Sequence, residues 1–325
     1  MNVYRRMIGR SALATAFVPS VLLALCVPHC ACTVFFAFDG KLALAGQNED
    51  WDDTNTQLWI VPRTSTTYAV LYFGFGRGDY PEGGVRISPR LRDLVRSGIT
   101  SLDSITEEDL YGLPQQGINE KGLFFGGAQT QMVDSQRRAD RPIYDGHIVD
   151  FVMRHCATVS QALKILDDYE YVMPAGQLLF GDKFGDSFIL EPGRVVIRRS
   201  GNYQVITNFL QSREPDKKRK DRRYRLADSK LAREPRLSRK IGVSLLQETH
   251  QSNTQYSLVF DLSHRVVIVY RKARFDSGIE LNVDAELSKG SHAERIQDLF
   301  EATSPKRRPN LGIDRSRASE FLMFP

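Results

Sequence analysis

Cys32 and the polar run Gln47, Asn48 and Asp50 are the residues whose types and spacing could do chemistry. Cys32 stands where a leader peptide ends, so removal of the leader leaves two reactive groups on one residue. Its thiol is a strong nucleophile, and its free α-amine titrates at about 8, low enough to accept the thiol proton near neutral pH. A residue that is both nucleophile and base needs no catalytic histidine. The histidines agree: His147 and His155 fall on one predicted helix, and His250, His264 and His292 are scattered without a metal-ligand spacing. No metal and no organic cofactor is implied. Cys156 follows an apolar helical run and reads as a small core residue.

A hairpin must bring these groups together. Thr33 to Phe38 reads as an apolar strand, Asp39-Gly40 as a turn, and Lys41 to Gly46 as a second strand. Asp-Gly between two apolar runs is a strong hairpin signal, because both residues tolerate positive φ. A hairpin returns to its own start, so Gln47, Asn48 and Asp50 are expected close to Cys32.

Residues 1–31 have the order of an export signal. Arg5, Arg6 and Arg10 open it, Ser11 to Pro28 supply an apolar stretch, and His29-Cys30-Ala31 close it. A cut at Ala31–Cys32 makes the protein secreted or periplasmic, with no stable membrane span once the leader is gone. A retained anchor is the plain alternative, the apolar stretch being near the lower limit of about 18 residues for spanning. The leader holds three arginines and no acid, so the formal charge falls from +5 to +2 on its removal. Two cysteines leave with it, and Cys32 and Cys156 are no disulfide framework. Thirteen Lys or Arg against five acids crowd Arg213 to Lys240. With Tyr224 the one aromatic in that stretch, it reads as a solvated helix and loop rather than a nucleic-acid surface.

The rest of the chain is rich in strands. Thr56–Val61 and Thr67–Phe73 carry β-branched and aromatic residues, and Gly74 to Gly84 reads as a loop. Gln115–Asn119 and Gly122–Phe125 suggest a second hairpin, with Asn119 as a turn residue and Gly126-Gly127 allowing close backbone approach. Ser104 with Glu107, Thr158 with Gln161, and Ser291 with Glu294 suit helix starts, and Asp145 to His155 has a helical apolar face. Strands are expected again at Gln177–Phe180, Ser187–Leu190, Val195–Arg198 and Tyr203–Thr207. Helix follows from about Asp221 and around Ile241 to Gln247, then an antiparallel pair at Ser257–Phe260 and Val266–Tyr270. Strands, helices and strands again argue for an α+β domain over residues 32–305, with a tail at 306–325.

CTVFFAFDGKLALAGQNEDW at the start of that domain resembles the N-terminal nucleophile hydrolases that cleave linear amide C–N bonds. That family includes choloylglycine hydrolases, penicillin V acylases and isopenicillin N acyltransferases. GINEKGLFFGGAQT, VITNFL, DRRYRLAD and TQYSLVFDLSHRVVIVY resemble its later blocks, in family order. The resemblance implies a four-layer αββα sandwich, with Cys32 as nucleophile and Asp50 as the acid that orients its amine. It implies Asn208 as the side-chain donor to the oxyanion, a role typically worth about 3 kcal/mol of barrier. Gln129 matches a polar residue facing the reacting carbonyl, and Arg223 lies in the block that carries an active-site arginine, with Arg222 and Arg225 as alternatives of register.

One departure bears on substrate. Choloylglycine hydrolases and penicillin V acylases have arginine where this chain has Gln47, and glutamine supplies no fixed cation. The resemblance therefore implies a small-molecule N-acyl amide rather than bile salts or penicillin V, with Gln47, Gln129 and Arg223 in its binding. Phe35, Phe36, Phe124 and Phe125 are candidates for an apolar acyl pocket, about half of them facing the core by strand alternation. An acyltransferase shares the same acyl-enzyme, and a non-catalytic binding protein on the same fold is the reading from another class. Self-association is left open.

Overall fold

The computed structural model describes residues 32–76, 112–131, 133, 138–144, 146–171 and 176–303. The expected leader, the Ser104–Glu107 helix start, most of the Gly74–Gly84 loop and the 306–325 tail lie outside them.

Sixteen strands follow one another among the described residues: β1 (Thr33–Phe38), β2 (Ala43–Asp50), β3 (Thr56–Val61), β4 (Val70–Gly76), β5 (Gly112–Asn119) and β6 (Leu123–Ala128). Next come β7 (Ile143–Tyr144), β8 (Glu170–Tyr171), β9 (Gln177–Asp182), β10 (Ser187–Glu191), β11 (Val195–Arg198) and β12 (Tyr203–Ile206). β13 (Thr254–Asp261), β14 (Val266–Arg271), β15 (Ile279–Asn282) and β16 (His292–Arg295) complete the set. They form a six-stranded sheet in the order β12-β1-β2-β13-β14-β15 and an eight-stranded sheet in the order β11-β10-β9-β6-β5-β4-β3-β16. Every pairing within these two sheets is antiparallel.

Three apolar layers explain why the sheets stack. Val34, Phe36, Phe124, Leu258 and Phe260 lie in the core between the two sheets. Phe35, Leu44 and Val259 point the other way, against Ala227 and Leu231 of the helix Arg222–Arg233 and Leu245 and Leu246 of the helix Arg239–Thr249. Phe125, Phe180 and Phe188 cover the far face of the larger sheet under the helices Ile148–His155 and Val159–Asp168. The result is helix, sheet, sheet, helix. Strands buried on both faces read as continuous apolar runs, which is why TVFFAF shows no alternation. Each fully buried aromatic or aliphatic side chain contributes about 1.5–3 kcal/mol.

The expected hairpins and the Thr158 cap are present. Thr158 accepts from the Gln161 amide at 3.3 Å, and Asp221 accepts from the Tyr224 amide at 2.8 Å at the start of its helix. Asn119 is structural: its Oδ1 takes the amides of Lys121 and Leu123, and its Nδ2 donates to the carbonyls of Met153 and Cys156. Two expectations change. Ser291 and Glu294 do not open a helix, because His292–Arg295 pairs with β3 as an edge strand and the helix begins at Ile296. β2 does not stop at Gly46 but runs on to Asp50, because β13 pairs with it along its whole length.

Candidate active site

The added length of β2 decides the geometry around Cys32. Thr33 stands opposite Asn48 and Val34 opposite Gln47, so Cys32 is level with Glu49 and its α-nitrogen lies on the side toward Asp50. Side chains alternate along a strand, so Gln47 and Glu49 share the face between the sheets with Cys32, while Asn48 and Asp50 face the helices. The sulfur of Cys32 meets Glu49, its Sγ 3.6 Å from Oε1. Gln47 donates to Glu49 Oε2 at 2.8 Å and to the Gly127 carbonyl at 3.1 Å. Gly126 must lack a side chain here: a Cβ on it would lie 2.5 Å from Gln47 Oε1 and 2.8 Å from Val34 Cγ1.

On the helix side, Asn48 donates to the Leu246 carbonyl at 2.9 Å and accepts from Ser257 at 2.7 Å. Asp50 accepts from the Thr254 hydroxyl. Burial pushes its carboxyl up to about 7, against the opposing pull of the Thr254 bond and of the Arg223 and His250 charges. Glu49 is held well above the ordinary carboxylate range, first by burial and then by the charges of Cys32 and Asp50.

Asn208 follows β12, which pairs with β1, and so arrives beside Cys32. Its Oδ1 accepts from Arg223 Nη2 at 3.0 Å, and its Nδ2 donates to the Gln129 carbonyl at 2.8 Å. One Nδ2 hydrogen is thereby used, and an amide has a second to offer a substrate oxygen. Arg223 Nη1 donates to the carbonyl of Cys32 at 2.6 Å, so one guanidinium joins the nucleophile candidate to the oxyanion candidate. Buried polar groups fix the Asn208 loop. Gln177 Nε2 donates to the carbonyls of Thr207 and Phe209 at 2.6 and 2.9 Å, Gln211 Nε2 to that of Val205 at 2.7 Å, and Glu191 accepts from the Gln211 amide and the Ser212 hydroxyl.

The conjugated bile acid hydrolase from Clostridium perfringens is similar to this chain over 82% of this chain and 96% of its own, with TM-score 0.57 and 13% identity. The penicillin V acylase from Agrobacterium tumefaciens is similar over 81% and 90%, with TM-score 0.56 and 16% identity. This is the N-terminal nucleophile hydrolase fold. The αββα layering built on two large antiparallel sheets agrees with it. No family model and no curated protein sequence matches the chain.

Within this fold, the residues singled out from sequence are placed as follows. Cys32, Asp50, Asn208 and Arg223 converge at the end of β1, and among the three arginine alternatives Arg223 is the one that touches the site. Asp50 lies on the helix-facing side of β2, on the opposite face from the Cys32 sulfur. Gln47 is fully buried and supports Glu49, and Gln129 meets the site through its backbone carbonyl while its side chain is exposed. Phe35, Phe36, Phe124 and Phe125 are all core residues, spread over three different apolar layers, so none lines an acyl pocket. Sequence reading passed over Glu49, Gln177 and Glu191. Alternation from Gln47 would have singled out Glu49 had β2 been extended by four residues; the other two have no local signal. Among the described residues no cluster of His, Cys, Asp and Glu could hold a metal ion, and no helix is long and apolar enough to cross a membrane.

Proposed function

We propose that the protein is an exported amidohydrolase that acts through Cys32 once the leader has been removed, cleaving the linear amide bond of an N-acyl compound. The observation that carries this reading is the Arg223 bridge, which holds the Cys32 carbonyl and the Asn208 side chain in one hydrogen-bonded unit.

The steps follow from the residues present. The Cys32 α-amine takes the thiol proton, and the thiolate attacks the amide carbonyl, whose electron pair moves to oxygen. Asn208 Nδ2 donates to that oxyanion, and Asp50, beside the Cys32 nitrogen, favours the ammonium. The ammonium gives its proton to the leaving nitrogen as the C–N bond breaks, leaving a thioester on Cys32. Water attacks the thioester, its proton passing to the amine and then to the departing sulfur, and the free acid leaves.

The polar groups at the sulfur, Gln47 and Glu49, bring no cation to it. This supports a preference for neutral or amphipathic N-acyl amides of medium chain length over conjugated bile salts and penicillin V. A panel of chromogenic N-acyl anilides, glycocholate and penicillin V tests it by kcat/KM. An anilide is expected to be the best substrate, with Asn208→Ala about a hundredfold slower on it. Glycocholate or penicillin V as the best substrate refutes the specificity. Full activity in Cys32→Ala refutes the chemistry.

A further inference from the structure

Glu49 is a buried carboxyl that the mechanism above does not use. It sits between the sheets with 1% of its surface exposed. Three groups face it: the Cys32 sulfur from the end of β1, the Gln47 amide from its own strand, and Tyr256, its register partner on β13. Asp50 is next to it in sequence but on the opposite face. Tyr256 in turn accepts from Gln116 Nε2 of the facing sheet. Among the described residues, no cation pairs with Glu49.

These surroundings decide its protonation and where the proton sits. A buried carboxylate with one amide donor and no cation pays a desolvation cost of several kcal/mol, which a neutral carboxyl avoids. Burial and the neighbouring charges of Cys32 and Asp50 push Glu49 the same way. Oε2 already accepts from Gln47 at 2.8 Å, so the single proton belongs on Oε1. Oε1 is the oxygen that faces the sulfur, at 3.6 Å.

We infer that Glu49 is a positioning residue of the nucleophile, its Oε1–H donating a hydrogen bond to the Cys32 sulfur whenever that sulfur is a thiolate. This rests on the reading of Cys32 as nucleophile. The bond forms twice per turnover, as the thiolate appears before attack and as it departs from the thioester. Glu49 keeps its proton throughout, because the thiol proton passes through the α-amine to the leaving nitrogen, and the proton that returns to the sulfur comes from the attacking water by way of the same amine. When Glu49 ionises at higher pH, a carboxylate faces the sulfur, the two anions oppose each other, and the rate falls.

Glutamine has the shape to replace it, its oxygen taking the Gln47 donor and its NH2 facing the sulfur. The test uses the mature protein and its Glu49→Gln and Glu49→Leu variants. Two rates are followed across the pH range: alkylation of Cys32 by iodoacetamide, and cleavage of an N-acyl anilide. Glu49→Gln is expected within about threefold of wild type near neutral pH, without the alkaline decline of the wild type. Glu49→Leu is expected to lose about ten- to a hundredfold in both rates, the worth of a hydrogen bond to a charged group. If Glu49→Leu does not fold, the wild-type and Glu49→Gln profiles decide alone. Glu49→Gln as inactive as Cys32→Ala overturns the inference, because it makes Glu49 an ionised base. Superimposable profiles with Cys32 still alkylated overturn the role of Glu49 alone. No alkylation of Cys32 in the wild type overturns it together with the reading of Cys32.

Discussion

Replacing Arg223 separates two roles that one guanidinium could fill, binding a substrate carboxylate or holding the site together. Its hydrogen bonds run to the Cys32 carbonyl at 2.6 Å and to Asn208 Oδ1 at 3.0 Å, with Asp221 at 3.5 Å and 11% of the side chain exposed. A hydrogen bond from a charged group contributes about 1.5–3 kcal/mol, and partial exposure puts the two together near the low end, about 3 kcal/mol. Arg223→Met keeps the aliphatic stem and loses both bonds, which lowers Tm by roughly 6–12 °C for a domain of this size. Freed of its Oδ1 partner, the Asn208 amide turns away, and loss of such an oxyanion donor lowers kcat by about a hundredfold or more. Arg223→Lys keeps the charge but not the two-armed fork, and falls between. The assay compares kcat and KM on a neutral N-acyl anilide and on an N-acyl amino acid. The expected result is a fall in kcat on both, with KM within about threefold. An unchanged kcat on the anilide, with KM rising only for the carboxylate substrate, refutes the bridging role.

Other outcomes follow from the same geometry. Gln177→Leu removes both donors that bracket Asn208, so turnover should fall at least about tenfold in a folded protein; wild-type kcat contradicts the argument. Gly126→Ala forces a methyl against Gln47 and Val34, and should cost about 1–3 kcal/mol by urea unfolding; an unchanged midpoint shows that the sheets can part there. Burial raises Asp50 to about 7, above the ordinary aspartate value of an unfolded chain. Between those two values the native state holds more protons, so stability falls as pH rises, by up to about 1.4 kcal/mol per pH unit. In the leader-bearing chain, Asp50→Asn should flatten that fall. A parallel pH dependence in both proteins contradicts the assignment.

The layers of the fold were readable because local patterns and tertiary structure agree in them. Asp39-Gly40 turns, TVFFAF is apolar along its length, and Thr158 and Asp221 cap the helices that cover the sheets. Failures came where distant pairing overrides local pattern. A polar run such as QNED reads as the end of a strand, yet β13 carries β2 through it, and its polar side chains find partners in Gly127, Leu246, Ser257 and Thr254. His292–Arg295 became a strand because β3 offers an edge. Cys32 stood out by its place at the end of the leader, Asn208 and Arg223 through the family resemblance, whereas Glu191 and Gln177 act on backbone groups distant in sequence and leave no periodic trace. The four phenylalanines show the limit of alternation: it separates the faces of a strand but does not say that both faces are covered.

The mass of the active form tests the role of Cys32 most directly. Intact-mass analysis of the purified enzyme, before and after an electrophilic N-acyl inhibitor, reports both the first residue and the labelled group. The expected chain begins at Cys32 with a free amine, takes up one inhibitor on the Cys32 sulfur, and loses activity in proportion. A fully active chain that still carries Ala31, or complete inactivation with Cys32 unlabelled, contradicts that role.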